Sequence, residues 1–242
     1  MQLMEQWTTT SGYHVHQVLK GRGNAYLVAA GEHHLLVDTG MKSSLRRLEQ
    51  TINGLLPEKR TLDFLVLTHT HYDHCQSAAK IQEKENCRVV VGKAESQYGQ
   101  KGFAPLPRGT SVLPRMLTGI GNLMGKKMFG YAPFEPDMEI EDDYDLMGGL
   151  AGVRLITTPG HSAGSVSLVV DDEVALVGDA AFGIFRNTIF PPFADNITQL
   201  VQSWKKLLDT PCHTFLPGHG GPINRKMLEK EYERYARRYG LT

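Results

Sequence analysis

The stretch Phe64-Leu65-Val66-Leu67-Thr68-His69-Thr70-His71-Tyr72-Asp73-His74 decides how this chain is read. Four apolar residues come first, as in a strand buried on both faces. Four potential metal ligands, His69, His71, Asp73 and His74, follow at once. His69 and His71 stand two apart, so extended backbone points both imidazoles the same way. A turn and a helix start then send Asp73 and His74 in another direction. One segment can therefore serve two neighbouring metal ions, which a single tetrahedral site would not need.

Strand and helix signals alternate on both sides of this stretch. Tyr13 to Leu19 alternates as a strand, and Asn24 to Ala30 and His33 to Asp38 form a hairpin about Gly31-Glu32. From Ser43 the period lengthens, with Leu45, Leu48, Ile52 and Leu55 or Leu56 on one helical face. A helix is predicted from near His74 towards Glu83, then a strand at Arg88 to Val91. Strands return at Val153 to Thr157, Ser165 to Val170 and Val174 to Val177, the last two joined by a tight turn at Asp171-Asp172-Glu173. A helix with Ile197, Leu200, Val201, Trp204, Leu207 and Leu208 on one face follows, capped by Asp195 or Asn196. Thr214 to Leu216 reads as a strand and Asn224 opens the last helix. This order argues a layered α/β fold with a weak structural duplication.

Three more ligand candidates share the strand-end setting. They are His161 in Thr158-Pro159-Gly160-His161, Asp179 in Val177-Gly178-Asp179, and His219 in Pro217-Gly218-His219-Gly220. Glycines beside them let backbone approach closely along one sheet edge. A lone loop histidine carries little weight; HxHxDH with three further strand-end ligands carries much. His14, His16, His33, His34 and His213 lack the setting and are read as ordinary histidines. Cys75, on a helix one position past a ligand, is read as a small buried hydrophobe rather than a thiolate.

Gln97 to Pro136 breaks the alternation. It holds five prolines, and Gly119 and Gly121 interrupt a helical spacing of Val112, Leu113, Met116, Leu117, Ile120, Leu123 and Met124. Arg108, Arg115, Lys126 and Lys127 lie nearby. The segment is expected to be either a lid over the site or ordinary core packing.

The totals agree with an enzyme. The chain has 242 residues, 41% of them hydrophobic, with 26 Lys and Arg against 26 Asp and Glu, which favours a small-molecule substrate over nucleic acid. No apolar run reaches the roughly 20 residues that span a bilayer, and no secretory signal is visible, so no membrane partner is expected. Three cysteines without a CxxC spacing suit a cytoplasmic location. Oligomeric state is open.

From Asp38 in Val37-Asp38-Thr39-Gly40, through His69-Thr70-His71-Tyr72-Asp73-His74, to His161, Asp179 and His219, the chain resembles the metallo-β-lactamase superfamily. The resemblance implies a single domain over residues 1–242, a four-layered αββα sandwich with two metal ions at one edge. It implies that His69, His71 and His161 bind one ion, that Asp73, His74 and His219 bind the other, and that Asp179 bridges them. Asp38 is similar to the buried aspartate that supports the metal loop. The opening Gly23-Asn24-Ala25-Tyr26-Leu27-Val28 looks most like the glyoxalase II and lactonase branch. Cys75-Gln76-Ser77 stands where many relatives have a small residue and two glycines. The function implied is hydrolysis of an ester, thioester, lactone or related bond by a metal-bound hydroxide, with Asp73 and Asp179 as the catalytic carboxylates. Zinc is the expected metal, with iron or manganese as alternatives. The rival chemistry is an iron-dependent persulfide-dioxygenase-like or diiron redox enzyme on the same fold.

Overall fold

The computed structural model describes residues 5–56, 62–146 and 151–241. Met1 to Met4, which open the stretch read for a leader, lie outside the described residues.

The first half runs β1 (Gln6–Thr8), β2 (His14–Leu19), β3 (Ala25–Ala30), β4 (His33–Val37), α1 (Leu45–Leu55), β5 (Phe64–Val66), α2 (Tyr72–Cys75), α3 (Ala78–Glu85), β6 (Arg88–Gly92), α4 (Lys93–Lys101), α5 (Val112–Phe129) and β7 (Met138–Ile140). The second runs β8 (Tyr144–Asp145), β9 (Val153–Thr157), β10 (Val166–Val170), β11 (Val174–Gly178), α6 (Ile197–Leu208), β12 (Thr214–Pro217), β13 (Ile223–Asn224) and α7 (Arg225–Tyr239). The strands build one sheet in the order β1-β2-β3-β4-β5-β6-β7 and another in the order β13-β12-β11-β10-β9-β8.

Alternation along each strand sorts the side chains into layers. Tyr26, Val28, Leu35, Val37, Val66 and Val90 point inward and meet Leu155, Leu168, Val170, Leu176 and Leu216 of the other sheet. Their neighbours Leu27, Leu36, Leu65 and Val89 point outward under Leu48 and Ile52 of α1 and Ala78 and Ile81 of α3. Ile156, Val169, Ala175 and Phe215 do the same under Leu200 and Trp204 of α6 and Leu228 and Tyr235 of α7. The result is the four-layered αββα sandwich.

Local chemistry fixes the boundaries. Asp171 and Asp172 both have φ 55°, the left-handed pair that a two-residue hairpin needs. The Asn196 side chain accepts from Gln199 N at 3.1 Å and caps α6. Asn224 accepts from Met227 N at 2.9 Å and caps α7.

The parallel pairs position the site. β4 runs parallel to β5, and β11 to β12. Parallel neighbours end at the same edge, where the loops after them converge.

Three expectations need correction. The helix predicted from near His74 to Glu83 is two helices, α2 and α3. Gln76 and Ser77 part them: Gln76 Oε1 accepts from Lys42 N at 2.9 Å, and Ser77 N donates to Thr39 Oγ1 at 3.3 Å. The segment expected to depart at Gln97 starts inside α4, which runs to Lys101. Gly119 and Gly121 do not interrupt α5; the break is at Gly125, with φ 51° and ψ −142°. Gly121 is instead a contact point, since a Cβ there would lie 2.4 Å from Leu106 Cδ1.

Candidate metal centre

Construction of the site starts at Asp38. It follows β4 with φ 59°, a left-handed conformation that Asp tolerates better than most residues. Its backbone N–H donates to Val66 O at 2.9 Å, which ties it to β5. Its carboxylate then accepts three hydrogen bonds, each 2.8 Å long: from Thr68 N, Thr68 Oγ1 and His74 Nδ1. Asp38 is 2% exposed, so these bonds are shielded from water.

Those bonds settle where protons sit. Thr68 spends its one hydroxyl hydrogen on Asp38, so it accepts from His69 Nδ1, 3.1 Å away. His69 Nε2 is then bare, and it is buried with no hydrogen-bond partner. His74 donates from Nδ1 to Asp38, which leaves Nε2 facing inward. His161 donates from Nδ1 to Phe193 O at 2.9 Å, which frees its Nε2. His71 bonds the Pro105 backbone, and its Nδ1 lies 3.0 Å from His161 Nε2. Two bare nitrogens this close repel one another unless a cation lies between them.

All seven ligand candidates come together. His69, His71 and His161 form one group, His69, His74 and Asp179 a second, and Asp73, His74 and His219 a third. Within each group the ligand atoms lie within 4.8 Å of one another. Asp179 stands among them, with Oδ1 3.3 Å from His74 Nε2 and Oδ2 3.5 Å from His161 Nε2 and 3.4 Å from His219 Nε2. Its Oδ1 is buried and makes no hydrogen bond. Asp73 Oδ2 is 3.5 Å from His219 Nε2.

Electrostatics separate the histidines. Burial, reinforced by neighbouring imidazoles, holds His69 and His71 well below the usual histidine value. Burial pushes His74 the same way, but Asp179 and Asp38 outweigh it and raise it well above that value. His219 is raised too, by Asp179 against burial. Burial opposes the charge on Asp179, yet His219, His74 and His161 hold its carboxyl well below the usual range.

Close backbone approach explains two glycines. At Gly218 a Cβ would lie 2.4 Å from Asp179 Oδ1 and 2.5 Å from His74 Cε1. At Gly178, φ is 50° and a Cβ would strike the Thr68 side chain.

Several contributors escaped the sequence reading. Glu95 of α4 is 1% exposed and accepts from Thr70 N at 2.9 Å and Thr70 Oγ1 at 2.5 Å, which braces the loop between His69 and His71. Asn24 Nδ2 donates to Pro217 O and Gly220 O, both at 3.0 Å, and clamps the loop that carries His219. A hydroxyl beside each ligand was the available signal for Thr68 and Thr70; Glu95 and Asn24 lie too far along the chain to give one. Cys75 is buried and donates to Thr70 O at 3.1 Å, and burial pushes its thiol well up.

A cleft of about 320 Å³ opens over the cluster. Its polar lining comes mainly from His71, Asp73, His161, Asp179 and His219, and Leu106, Leu117, Phe129, Phe182 and Phe193 supply apolar surface. The Phe182 ring stacks on His219 with centroids 4.8 Å apart.

A buried histidine and carboxylate cluster that could hold metal ions thus lies at the shared edge of an αββα sandwich, under a cleft. The sequence model of the metallo-beta-lactamase superfamily matches residues 19–219, and the chain belongs to that superfamily. It is 27% identical over 214 residues to a beta-lactamase-like protein 2 homolog of Drosophila melanogaster, covering 86% of this chain and 62% of that one. The chain thus spans less than two thirds of that relative. It is also 27% identical to the probable metallo-hydrolase YqgX of Bacillus subtilis (strain 168), covering 91% of this chain and 95% of that one. Among solved structures, a Cronobacter sakazakii metallo-beta-lactamase with a HARLDQ motif superposes with a TM-score of 0.67 at 19% identity, covering 94% and 91% of the two chains. That likeness is one of fold.

Proposed function

We propose that this chain is a dinuclear zinc hydrolase of small-molecule esters, thioesters or lactones. His69, His71 and His161 would hold one ion and Asp73, His74 and His219 the other, with Asp179 between them. The observation that carries this reading is the set of inward lone pairs. His69 Nε2 and Asp179 Oδ1 are buried without partners, and His71 Nδ1 faces His161 Nε2 at 3.0 Å. A donor set of imidazole and carboxylate suits zinc.

Bound there, two divalent cations supply a water of near-neutral pKa and a Lewis acid for a carbonyl oxygen. The chain's own residues do the rest. Asp38 and Thr68 hold His74 and His69 in the tautomers that present Nε2. Asp73, 19% exposed in its side chain and open to the cleft, orients the attacking water and takes its proton. Phe182, Phe193 and Leu117 receive the apolar part of the substrate and exclude water. We read the chain as one domain whose segment 97–136 forms a lid-like wall of the cleft.

Metal analysis of protein purified without added metal, followed by a screen of esters, thioesters, lactones, β-lactams and phosphodiesters, tests this. Two zinc ions per chain with carbonyl-ester, thioester or lactone turnover is expected. Iron accompanied by oxygen consumption would overturn it in favour of redox chemistry.

A further inference from the structure

Helix α5 wears its faces reversed. Leu113, Met116, Leu117, Ile120, Leu123 and Met124 fall within an arc of roughly 120° at 3.6 residues per turn. That arc faces water, each side chain being between 51% and 89% exposed. The opposite side carries polar groups that bond within the chain. Thr118 is buried with its hydroxyl on Arg115 O, and the Asn122 amide donates to Leu106 O at 3.1 Å and accepts from Leu106 N at 2.7 Å. A helix selected only to cover a soluble protein has the opposite arrangement. A contiguous apolar face of this kind marks an interaction surface.

Charge identifies the occupant. From Gln97 to Phe134 the chain carries Lys101, Arg108, Arg115, Lys126 and Lys127 and no Asp or Glu, although the whole chain is balanced at 26 against 26. All five cations are exposed. Among the described residues none of them forms an ion pair with a carboxylate. A second copy of this chain, packed about a two-fold axis, would set these cations against themselves. An anionic lipid surface satisfies both halves of the pattern, taking the apolar arc at the acyl boundary and the cations at the headgroups.

The cleft adjoins this helix. Leu117, Thr118 and Phe129 line it, and the loop after Phe182 presents Ile184, Phe185 and Arg186 to solvent. We propose that the outward face of α5, with Lys126 and Lys127 at its C-terminal end, docks flat on an anionic membrane, so that the cleft opens at the lipid–water interface. No helix among the described residues is long and apolar enough to cross a membrane. A segment too short to span a bilayer can still lie on its surface, so the expectation of no membrane partner, drawn from the lack of a spanning run, does not extend to docking of this kind. The docking does not depend on which bond the metal centre cleaves.

Flotation of the zinc-loaded chain with lipid vesicles tests it, using pure phosphatidylcholine and phosphatidylcholine mixed with phosphatidylglycerol. Binding to the mixed vesicles only, weakened by salt, is expected. Ile120→Gln with Leu123→Gln, two exposed positions away from the cleft, should weaken binding by at least about tenfold. Lys126→Gln with Lys127→Gln should abolish the preference for anionic lipid. Melting temperature and zinc content should match the parent in both variants. Absence of binding to the anionic vesicles at low salt overturns the proposal. So does a dimer of the parent chain that Ile120→Gln and Leu123→Gln convert to monomer, which would make this face a self-interface.

Discussion

The loop from Thr68 to His74 and helix α5 both reverse the ordinary division of a folded chain, in which apolar groups go inside and polar groups outside. The loop buries five imidazole or hydroxyl-bearing residues almost completely, Thr68, His69, Thr70, His71 and His74. Helix α5 exposes Val112, Leu113, Met116, Leu117, Ile120, Leu123 and Met124. The two reversals are closed in opposite directions. In the loop, outward-pointing groups are satisfied within the chain, by Asp38, Thr68 and Glu95, and only the centre is left unmet. In α5 the buried Thr118 hydroxyl is satisfied, by Arg115 O, and only the outward apolar face is left unmet. An unmet lone pair enclosed by protein asks for a small cation; an unmet apolar face open to water asks for an extended surface.

The sharpest way to break this contrast is at the centre of the cluster. Asp179→Ala removes the carboxylate that lies within 3.3–3.5 Å of three imidazoles. With zinc in excess, kcat/KM should fall by roughly 10³-fold, equivalent to about 4 kcal/mol of lost transition-state stabilisation. Steady-state kinetics on a water-soluble ester or thioester measures it, and near-parental turnover would remove Asp179 from its central role. Leu123→Gln in the same assay should leave kcat/KM unchanged, because that side chain is 89% exposed and absent from the cleft lining.

Asp38→Ala comes next. It frees His74 and Thr68 to rotate and leaves Thr68 N unpaired in the interior. Loss of a partner one step removed from a metal costs about 10–100-fold in affinity. Zinc titration against a competing chelator should show that loss, with kcat at saturating zinc less affected than in Asp179→Ala. Equal zinc affinity in parent and variant would sink the supporting role.

Much of this was legible in the sequence, and the reason is local. His69, His71, Asp73 and His74 occupy one short segment, and His161, Asp179 and His219 each follow a run of apolar residues, so spacing alone marked all seven. The inner strands were legible because burial on both faces writes continuous apolar runs such as Phe64 to Leu67. Strands β1, β7, β8 and β13 were not, because two or three residues carry no period and only pairing with a neighbour holds them. Glu95 and Asn24 were invisible for a similar reason, since their partners are made by the fold. The direction in which α5 points its apolar face was illegible in principle: a helical stripe has the same spacing whether it faces a core or water.

A third test divides the cluster within itself. A histidine must lose its proton to bind a metal. His69 and His71 are held well below 6.5, so they are already neutral at pH 7. His74 and His219 are raised, so they keep a proton to higher pH and compete with the metal there. As pH falls from about 8 towards 6, the ion at Asp73, His74 and His219 should weaken by about tenfold per pH unit for each proton displaced, while the ion at His69, His71 and His161 holds. Zinc titration calorimetry in buffers of different ionisation enthalpy counts the protons released in each phase. Identical proton release for both ions would show that Asp179 and Asp38 do not distinguish the two halves.

The smallest expected effect is the one that decides what α5 is. If its apolar stripe were core, truncation would open a cavity and cost about 2–5 kcal/mol per large-to-alanine change. Leu48 of α1, fully buried against β-sheet side chains, should behave that way as Leu48→Ala. Met116 and Leu123 are 62% and 89% exposed, so Met116→Ala and Leu123→Ala remove side chains that water already surrounds. No cavity forms, alanine is at least as good a helix former, and each change should stay within about 0.5 kcal/mol of the parent. Denaturant unfolding of the zinc-free chain at matched pH reads the difference directly. A loss near that of Leu48→Ala would mean that the stripe is covered in solution, and the contrast between the buried loop and the open helix would fail. A change near zero leaves the stripe free for a partner outside the chain, and vesicle binding then reports whether that partner is a lipid surface.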